Sequence, residues 1–337
     1  SSAANAGRYA EIISDHATKR RLAAAAERIA EIALSSGSAS EAVERASAEL
    51  FDVAADDRRT DVVRVGALVE STIDHLEQRA AHAGQITGVP TGVPDLDLLT
   101  LGWQPSTLVV VGARPAVGKT AFSLNCALAA ARAGKPAMFV SLEMPQQEIM
   151  GRLVSNLGRV DSARIKAGTL SESDWIRVSD ATEELDKLPL WVMDTTEATV
   201  SSIRTKARLV RQTEGSLGLI VVDYIQLMSS GLGRRENRQV EVADISRGLK
   251  KLSREFECPV LALAQLKRAS IERADPRPTM ADLRESGALE QDADIVLLLH
   301  SDREERDRVT SHEVQMIVDK HRAGPTRSLR GMFVPKW

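Results

Sequence analysis

Lys119 and Thr120 close the segment Gly112-Ala113-Arg114-Pro115-Ala116-Val117-Gly118-Lys119-Thr120. These residue types at this spacing are those of a loop that cradles phosphates. Backbone N–H groups of such a loop, and of a helix starting at its end, point at the anion. The Lys119 ammonium adds positive charge between the β- and γ-phosphates, and the Thr120 hydroxyl is a ligand for Mg²⁺. The common pattern has glycine where this chain has Ala113, and Gly112 stands one position too early to restore the register. An accidental Gly-Lys-Thr after a strand is the alternative.

Phosphate chemistry also needs a metal partner and a group that activates water. Leu219-Ile220-Val221-Val222-Asp223 is an apolar run ending in a carboxylate, the form that holds Mg²⁺ directly or through water. Many buried strands end in Asp as a turn residue, so this reading depends on the company it keeps. Glu143 follows the apolar run ending Val140-Ser141-Leu142 and is placed to orient or deprotonate the attacking water; a helix N-cap or a surface acid is the alternative. Gln265 ends a third run, Ala262-Leu263-Ala264, with an amide suited to bridging a γ-phosphate to the segment beyond it.

The elements that must position these groups are legible from periodicity. Short apolar runs at Leu108–Val111, Ala137–Leu142, Leu190–Met193, Leu219–Val222, Val260–Ala264, Ile295–Leu299 and Val314–Val318 are predicted strands, with helical segments between the first five. Near-continuous apolar strands alternating with helices predict an α/β fold with a mostly parallel sheet covered on both faces. The closer spacing of the last runs predicts antiparallel additions at the sheet edge. In such sheets the strand carboxyl ends form the ligand crevice. Upstream, residues 8–35 read as a helix, 40–55 as a second amphipathic helix, 56–61 as a charged connector and 62–81 as a third helix. The organisation expected is residues 1–36 as a helical segment, 37–61 as linker helix and hinge, and 62–337 as the main domain.

Composition narrows the partners. The chain has 337 residues, a net charge of −3, 43% hydrophobic residues and only 3% aromatic residues. So few rings leave little to stack bases on, and any nucleic acid would be held mainly by its phosphates. Cys126 and Cys258 both lie in apolar segments and read as small core residues rather than a disulfide. No run reaches transmembrane length and no signal-peptide pattern opens the chain, so a cytoplasmic protein without a membrane partner is expected.

These segments, in order, resemble the bacterial and phage replicative helicases of the DnaB family, built on the RecA-like P-loop ATPase fold. The resemblance runs through Pro90-Thr91-Gly92, the loop Ala113 to Thr120, Ser141-Leu142-Glu143-Met144 and Asp223-Tyr224-Ile225-Gln226-Leu227-Met228. It continues in Gln265-Leu266-Lys267-Arg268, in the string Arg284 to Asp294, and in Lys320-His321-Arg322-Ala323-Gly324-Pro325-Thr326. Alanine at the first loop position is common in that family. The resemblance implies an ATP- and Mg²⁺-dependent enzyme working as a homo-hexamer on single-stranded DNA, 5′ to 3′, with a primase and a helicase loader as partners. Arg114, Pro115, Ala116, Val117, Gly118, Lys119, Thr120 and Ala121 would wrap the nucleotide, Thr120 and Asp223 would hold the metal, Glu143 would be the catalytic base and Gln265 the γ-phosphate sensor. Arg152 would contact the nucleotide, or be an ordinary surface arginine. Lys320 and Arg322 would be fingers reaching a neighbouring subunit's site; their alternation on a strand puts both on one face. Arg284, Glu285 and Gly287 match the channel loop that touches DNA. Gly233-Arg234-Arg235-Glu236-Asn237-Arg238 resembles a second channel loop, with Arg234, Arg235 and Arg238 as its cations; a merely solvated loop is the alternative. A recombination or repair ATPase on the same fold, or an ATP-binding scaffold, are the competing readings. The family's helical N-terminal domain is longer than the stretch before residue 40, glycine usually stands where Arg327 is, and the chain stops early at Trp337; a trimmed polypeptide is expected.

Overall fold

The computed structural model describes residues 2–35, 39, 42–43, 45–46, 49–50, 64–81, 84–229, 238–266, 276–283, 287–302 and 311–337. The chain divides into two units, Ser1–Ala81 and His82–Trp337. In the first, one continuous helix, Ser2–Leu34, takes the place of the helix expected at 8–35, and Arg28 pairs with Glu49 at 2.7 Å. The expected helix at 62–81 is a short 3-10 turn, Val65–Leu68, followed by the α-helix Val69–Ala81. Most of the expected linker helix and all of the hinge at 56–61 lie outside the described residues. No described helix is long and apolar enough to cross a membrane.

The second unit is an eight-stranded sheet in the order β3-β2-β4-β5-β1-β6-β7-β8. Its strands are β1 Leu108–Ala113, β2 Ala137–Ser141, β3 Leu190–Asp194, β4 Leu219–Asp223, β5 Val260–Gln265, β6 Ile295–His300, β7 His312–His321 and β8 Arg327–Phe333. The strands from β3 across to β6 are parallel, and β7 and β8 run antiparallel. Thus β6 belongs to the parallel set, and the antiparallel edge starts one strand later. The sequence reading missed β8. Its burial alternates between exposed and half-buried, because an outermost strand needs no continuous apolar run.

Alternation sorts the strand residues onto two cores. Val110, Val140, Val222, Ala262 and Leu298 face one core, with the helices Val200–Glu214 and Arg238–Phe256. Val109, Val111, Phe139, Val221 and Leu263 face the other, with the helices Lys119–Arg132 and Gln146–Gly158. Each fully buried Val or Leu contributes about 1.5–3 kcal/mol, so a sheet buried on both faces supplies most of the unit's apolar core. Cys126 and Cys258 are free and buried in these cores, and burial pushes the Cys258 thiol up to about 12.

The amino ends of β1 and β6 are tied by one carboxylate. Asp294 Oδ2 accepts from the Leu108 backbone N–H at 2.8 Å and from Lys250 Nζ at 2.5 Å; Lys250 also donates to Ser106 O at 2.9 Å. Both side chains are largely buried, 17% and 10% exposed. Removing one member of such a pair strands the other charge. Asp294→Ala should therefore destabilise the unit by about 3–5 kcal/mol, read as a lower urea midpoint. Adding Lys250→Met should recover part of the loss, and no recovery would mean the cost is not the stranded ammonium.

Candidate active site

The carboxyl ends of β1, β5, β4 and β2 lie side by side along one edge of the sheet. Ala113 is in register with Gln265, and Ser141 with Asp223. Three of the groups singled out by sequence, the phosphate loop, Asp223 and Gln265, are therefore neighbours, and Glu143 follows two residues beyond Ser141. The odd register of the loop has a packing reason. A Cβ at Gly112 would come within 2.8–3.0 Å of Leu298, Leu283 and Leu266. Gly112 serves the core, and the loop begins at Ala113.

Across the loop Pro115 and Ala116 are exposed and Val117 is buried as an anchor. Arg114 Nη2 donates to Pro276 O at 2.8 Å. Gly118 has a φ of 99°, and a Cβ there would meet the Phe333 ring at 3.0 Å; both facts require glycine. The helix Lys119–Arg132 starts at the next residue, so Ala121 sits in its first turn and the helix N-terminus faces the loop.

Asp223 is the electrostatic centre. It is 2% exposed. Its Oδ2 accepts from Thr120 Oγ1 at 2.6 Å, and its Oδ1, which has no hydrogen bond, lies 3.4 Å from Lys119 Nζ. Lys119 Nζ also sits 4.3 Å from the centre of the Tyr224 ring, a cation–π contact. Burial pulls the Lys119 ammonium below the usual lysine range, and the charges of Asp223 and then Glu143 pull it partly back. A hydroxyl beside a buried carboxylate with one oxygen free of hydrogen bonds is an all-oxygen donor set, which fits Mg²⁺.

Glu143 is exposed at the tip of a turn that Ser141 fixes. Ser141 Oγ donates to Met144 O at 2.6 Å and accepts from Met144 N at 3.1 Å. Arg152, on the helix Gln146–Gly158, pairs with Glu148 at 3.1 Å. With Ala121, Phe333 and Trp337 it helps line a cavity of about 640 Å³ that reaches the first turn of the loop's helix.

Lys320 and Arg322 lie at the other end of the sheet. Lys320 is level with Val296, and Arg322 N donates to Asp294 O at 2.8 Å, beside the amino end of β1. Arg322 lies just past the end of β7 rather than on it, and Asp319 forms a bulge immediately before Lys320. Lys320 Nζ donates to Glu290 O at 2.6 Å, at the carboxyl end of the helix Gly287–Asp292. Arg322 Nη1 is 3.5 Å from Asp294 Oδ1 and its side chain is 68% exposed.

Of the DNA candidates, Arg284, Glu285, Arg234 and Arg235 lie outside the described residues. Gly287 opens its helix with free space where a Cβ would point. Arg238 is bonded to the protein's own backbone, donating to Gln226 O at 2.8 Å and to Met228 O at 3.2 Å, and it pairs with Glu241. Sequence reasoning missed Tyr224, Gln226, Phe333 and Ser141 as parts of the site. Ser141, Tyr224 and Gln226 stand in the segments that carry the family resemblance and were given no role there, whereas Phe333 carried no signal.

A phosphate loop heading the central strand of a parallel sheet, with a carboxylate and an amide on the neighbouring strand ends, defines a RecA-like, nucleotide-hydrolysing P-loop domain. The family described as DnaB-like helicase C terminal domain matches residues 88–337. The chain is 41% identical to the replicative DNA helicase DnaB of Leifsonia xyli subsp. xyli, over 98% of this chain and 73% of that protein. It is 37% identical to the DnaB of Geobacillus stearothermophilus, over 99% and 74%. A solved DnaB-like replicative helicase, studied with its interactions with primase, superposes with a TM-score of 0.80 at 31% identity, covering 98% of this chain and 77% of that one. The chain belongs to the DnaB-like helicase family, and it is an ATP-hydrolysing helicase.

The Lys119 charge gives a pH test. Asp223 holds the ammonium protonated against burial, so Asp223→Asn lets its pKa fall further. Nucleotide binding measured without metal, between about pH 7 and pH 10, should then weaken at a lower pH in Asp223→Asn than in the parent. Coincident profiles would remove Asp223 from control of Lys119.

Proposed function

We propose that this chain is the motor of a replicative DNA helicase that closes a homo-hexameric ring. It hydrolyses ATP with Mg²⁺ at subunit boundaries and moves 5′ to 3′ on single-stranded DNA, opening the duplex at a fork. One observation carries the reading: the phosphate loop and the Lys320/Arg322 pair occupy opposite ends of the same sheet. Leu108 to Ala113 alone spans roughly 17 Å. A finger pair so far from its own loop can serve the loop of another copy. Such a head-to-tail contact generates a ring when its rotation closes.

Within one boundary, Lys119 and the loop N–H groups take the β- and γ-phosphates. Mg²⁺, held by Thr120 and Asp223, would offset charge on those phosphates. Glu143 orients the attacking water and accepts its proton. Gln265, next to Ala113, reads the γ-phosphate. Lys320 and Arg322 of the adjoining copy stabilise the charge that develops as the bond breaks. The cavity with Arg152, Phe333 and Trp337 offers a guanidinium and ring faces to the base. Arg284, Glu285 and Gly287, with Arg234 and Arg235, are the residues assigned to contact with the DNA strand. The helix Val69–Ala81 exposes Val69, Ile73 and Leu76, at 50%, 50% and 59%, an apolar stripe that a second copy can cover. Residues 1–36 are the end of a helical domain, 37–61 a linker and hinge, and 62–337 the motor. A primase and a loader are its partners at the fork.

A forked duplex with one labelled strand tests the assignment: unwinding should need ATP and a free 5′ single strand. Glu143→Gln should lose about 10²–10⁴-fold in hydrolysis while still binding ATP. Affinity for oligothymidine should fall with salt, by roughly 0.7 in log K per tenfold salt for each phosphate neutralised. ATP hydrolysis without unwinding of any fork would favour a repair ATPase instead.

A further inference from the structure

Glu143 projects from the turn 142–145, between the end of β2 at Ser141 and the helix that starts at Gln146. Ser141 stands in register with Asp223 on one side and with Asp194, the last residue of β3, on the other. The β4 side holds the start of the turn, because Leu142 N donates to Asp223 O at 2.9 Å. The β3 side holds both ends of it. Thr195 N donates to Ser141 O at 3.1 Å, just before the turn. Gln146 N donates to Asp194 Oδ2 at 3.0 Å, just after the turn and across a sequence separation of 48 residues. Two consecutive residues at the end of β3 therefore grip the segment that carries Glu143.

The helix Gln146–Gly158 has no cap of its own. Pro145 stands at its N-cap and supplies no side-chain hydrogen bond. The first N–H groups of a helix need an outside acceptor, and a carboxylate at this end also suits the helix dipole. An ordinary cap would account for the bond by its stability alone. Asp194 is exposed, however, so water can replace its oxygen on Gln146 N at small cost in stability. Water cannot hold the helix start at a fixed distance from β3. Ser141 Oγ closes the turn on itself through Met144, whereas Asp194 anchors the turn to a strand outside it.

We propose that Asp194 is a positioning residue for hydrolysis: its carboxylate fixes the start of the helix Gln146–Gly158 and so sets the reach of Glu143 toward the attacking water. The inference rests on the reading of Glu143 as the base. It gives a use to the end of β3, a strand end to which the sequence reading assigned no function. A displacement of about 1 Å in a reacting group costs up to about 10²-fold in rate, so an anchor that adds little stability can still govern turnover.

The test is ATP hydrolysis by the full chain with saturating oligothymidine, together with ATP affinity and thermal unfolding. Asp194→Ala removes the acceptor. It should lower kcat about tenfold, a fraction of the roughly 10²–10⁴-fold that a general base supplies, with KM and affinity for ATP little changed. Asp194→Asn keeps an oxygen facing Gln146 N and should recover most of kcat. Gln146→Pro deletes the donor instead, and proline is tolerated at the first position of a helix. It should reproduce the loss, and adding Asp194→Ala to it should cost nothing more. In a Glu143→Gln background, read in single turnovers, Asp194→Ala should likewise cost nothing more. An Asp194→Asn as slow as Asp194→Ala, or losses that multiply in the Glu143→Gln background, would overturn the proposal in favour of a purely structural cap. Glu143→Gln hydrolysing like the parent would sink the reading of the base itself. A slow Glu143→Gln beside unimpaired Asp194→Ala and Gln146→Pro would sink the positioning role alone.

Discussion

The polarity of the central sheet is the constraint from which the site follows. With the strands from β3 to β6 parallel, the carboxyl ends of β1, β2, β4 and β5 must lie along one edge. Each continues into a group of the proposed chemistry: the phosphate loop, Glu143, Asp223 and Gln265. Had any of these strands run the other way, its group would sit at the far edge. β7 runs antiparallel to β6, and its carboxyl end carries Lys320 and Arg322 at that far edge. One sheet thus carries the phosphate loop at one edge and Lys320 and Arg322 at the other, and in the proposed motor the two work between copies.

Within the binding edge, burial sets the energetics. Asp223 is removed from water and is compensated by the Lys119 ammonium and the Thr120 hydroxyl. A buried carboxylate without such partners would destabilise the strand end. The same partners are the groups that phosphate and metal require, so the fold holds them in place through contacts a ligand can exchange. Tyr224 supports Lys119 from the ring side, and Ser141 locks the turn bearing Glu143. At the finger edge, Asp294 joins the start of β1 to Arg322, so both ends of β1 are tied to charged groups of the proposed chemistry.

Much of this was legible in the sequence, because strands buried on both faces are written as unbroken apolar runs. The runs ending in Asp223 and Gln265 identified both the strands and their terminal residues. Where the reading failed, the cause was tertiary. β8, at the open edge, alternates too weakly to register as a strand. Gly112 is misplaced for phosphate binding because it is a core glycine facing Leu283 and Leu298. Arg238 reads as a loop cation, yet its partners are carbonyls ten and twelve residues upstream. Gln226 stands in a segment that carries the family resemblance, yet nothing local announces its bond to a backbone N–H 39 residues away. Charge type and spacing reveal candidates; which of them the fold consumes internally depends on contacts that no local pattern encodes.

The central claim is that one copy's loop works with another copy's fingers. Mixing two inactive variants, Lys119→Ala and Arg322→Ala, tests it directly. Each alone lacks half of every boundary, whereas a mixed assembly contains boundaries with an intact loop facing an intact finger. ATP hydrolysis should reappear on mixing and peak near equal proportions. If the variants demonstrably co-assemble and hydrolysis stays absent at every ratio, the fingers do not act across the boundary and the account fails.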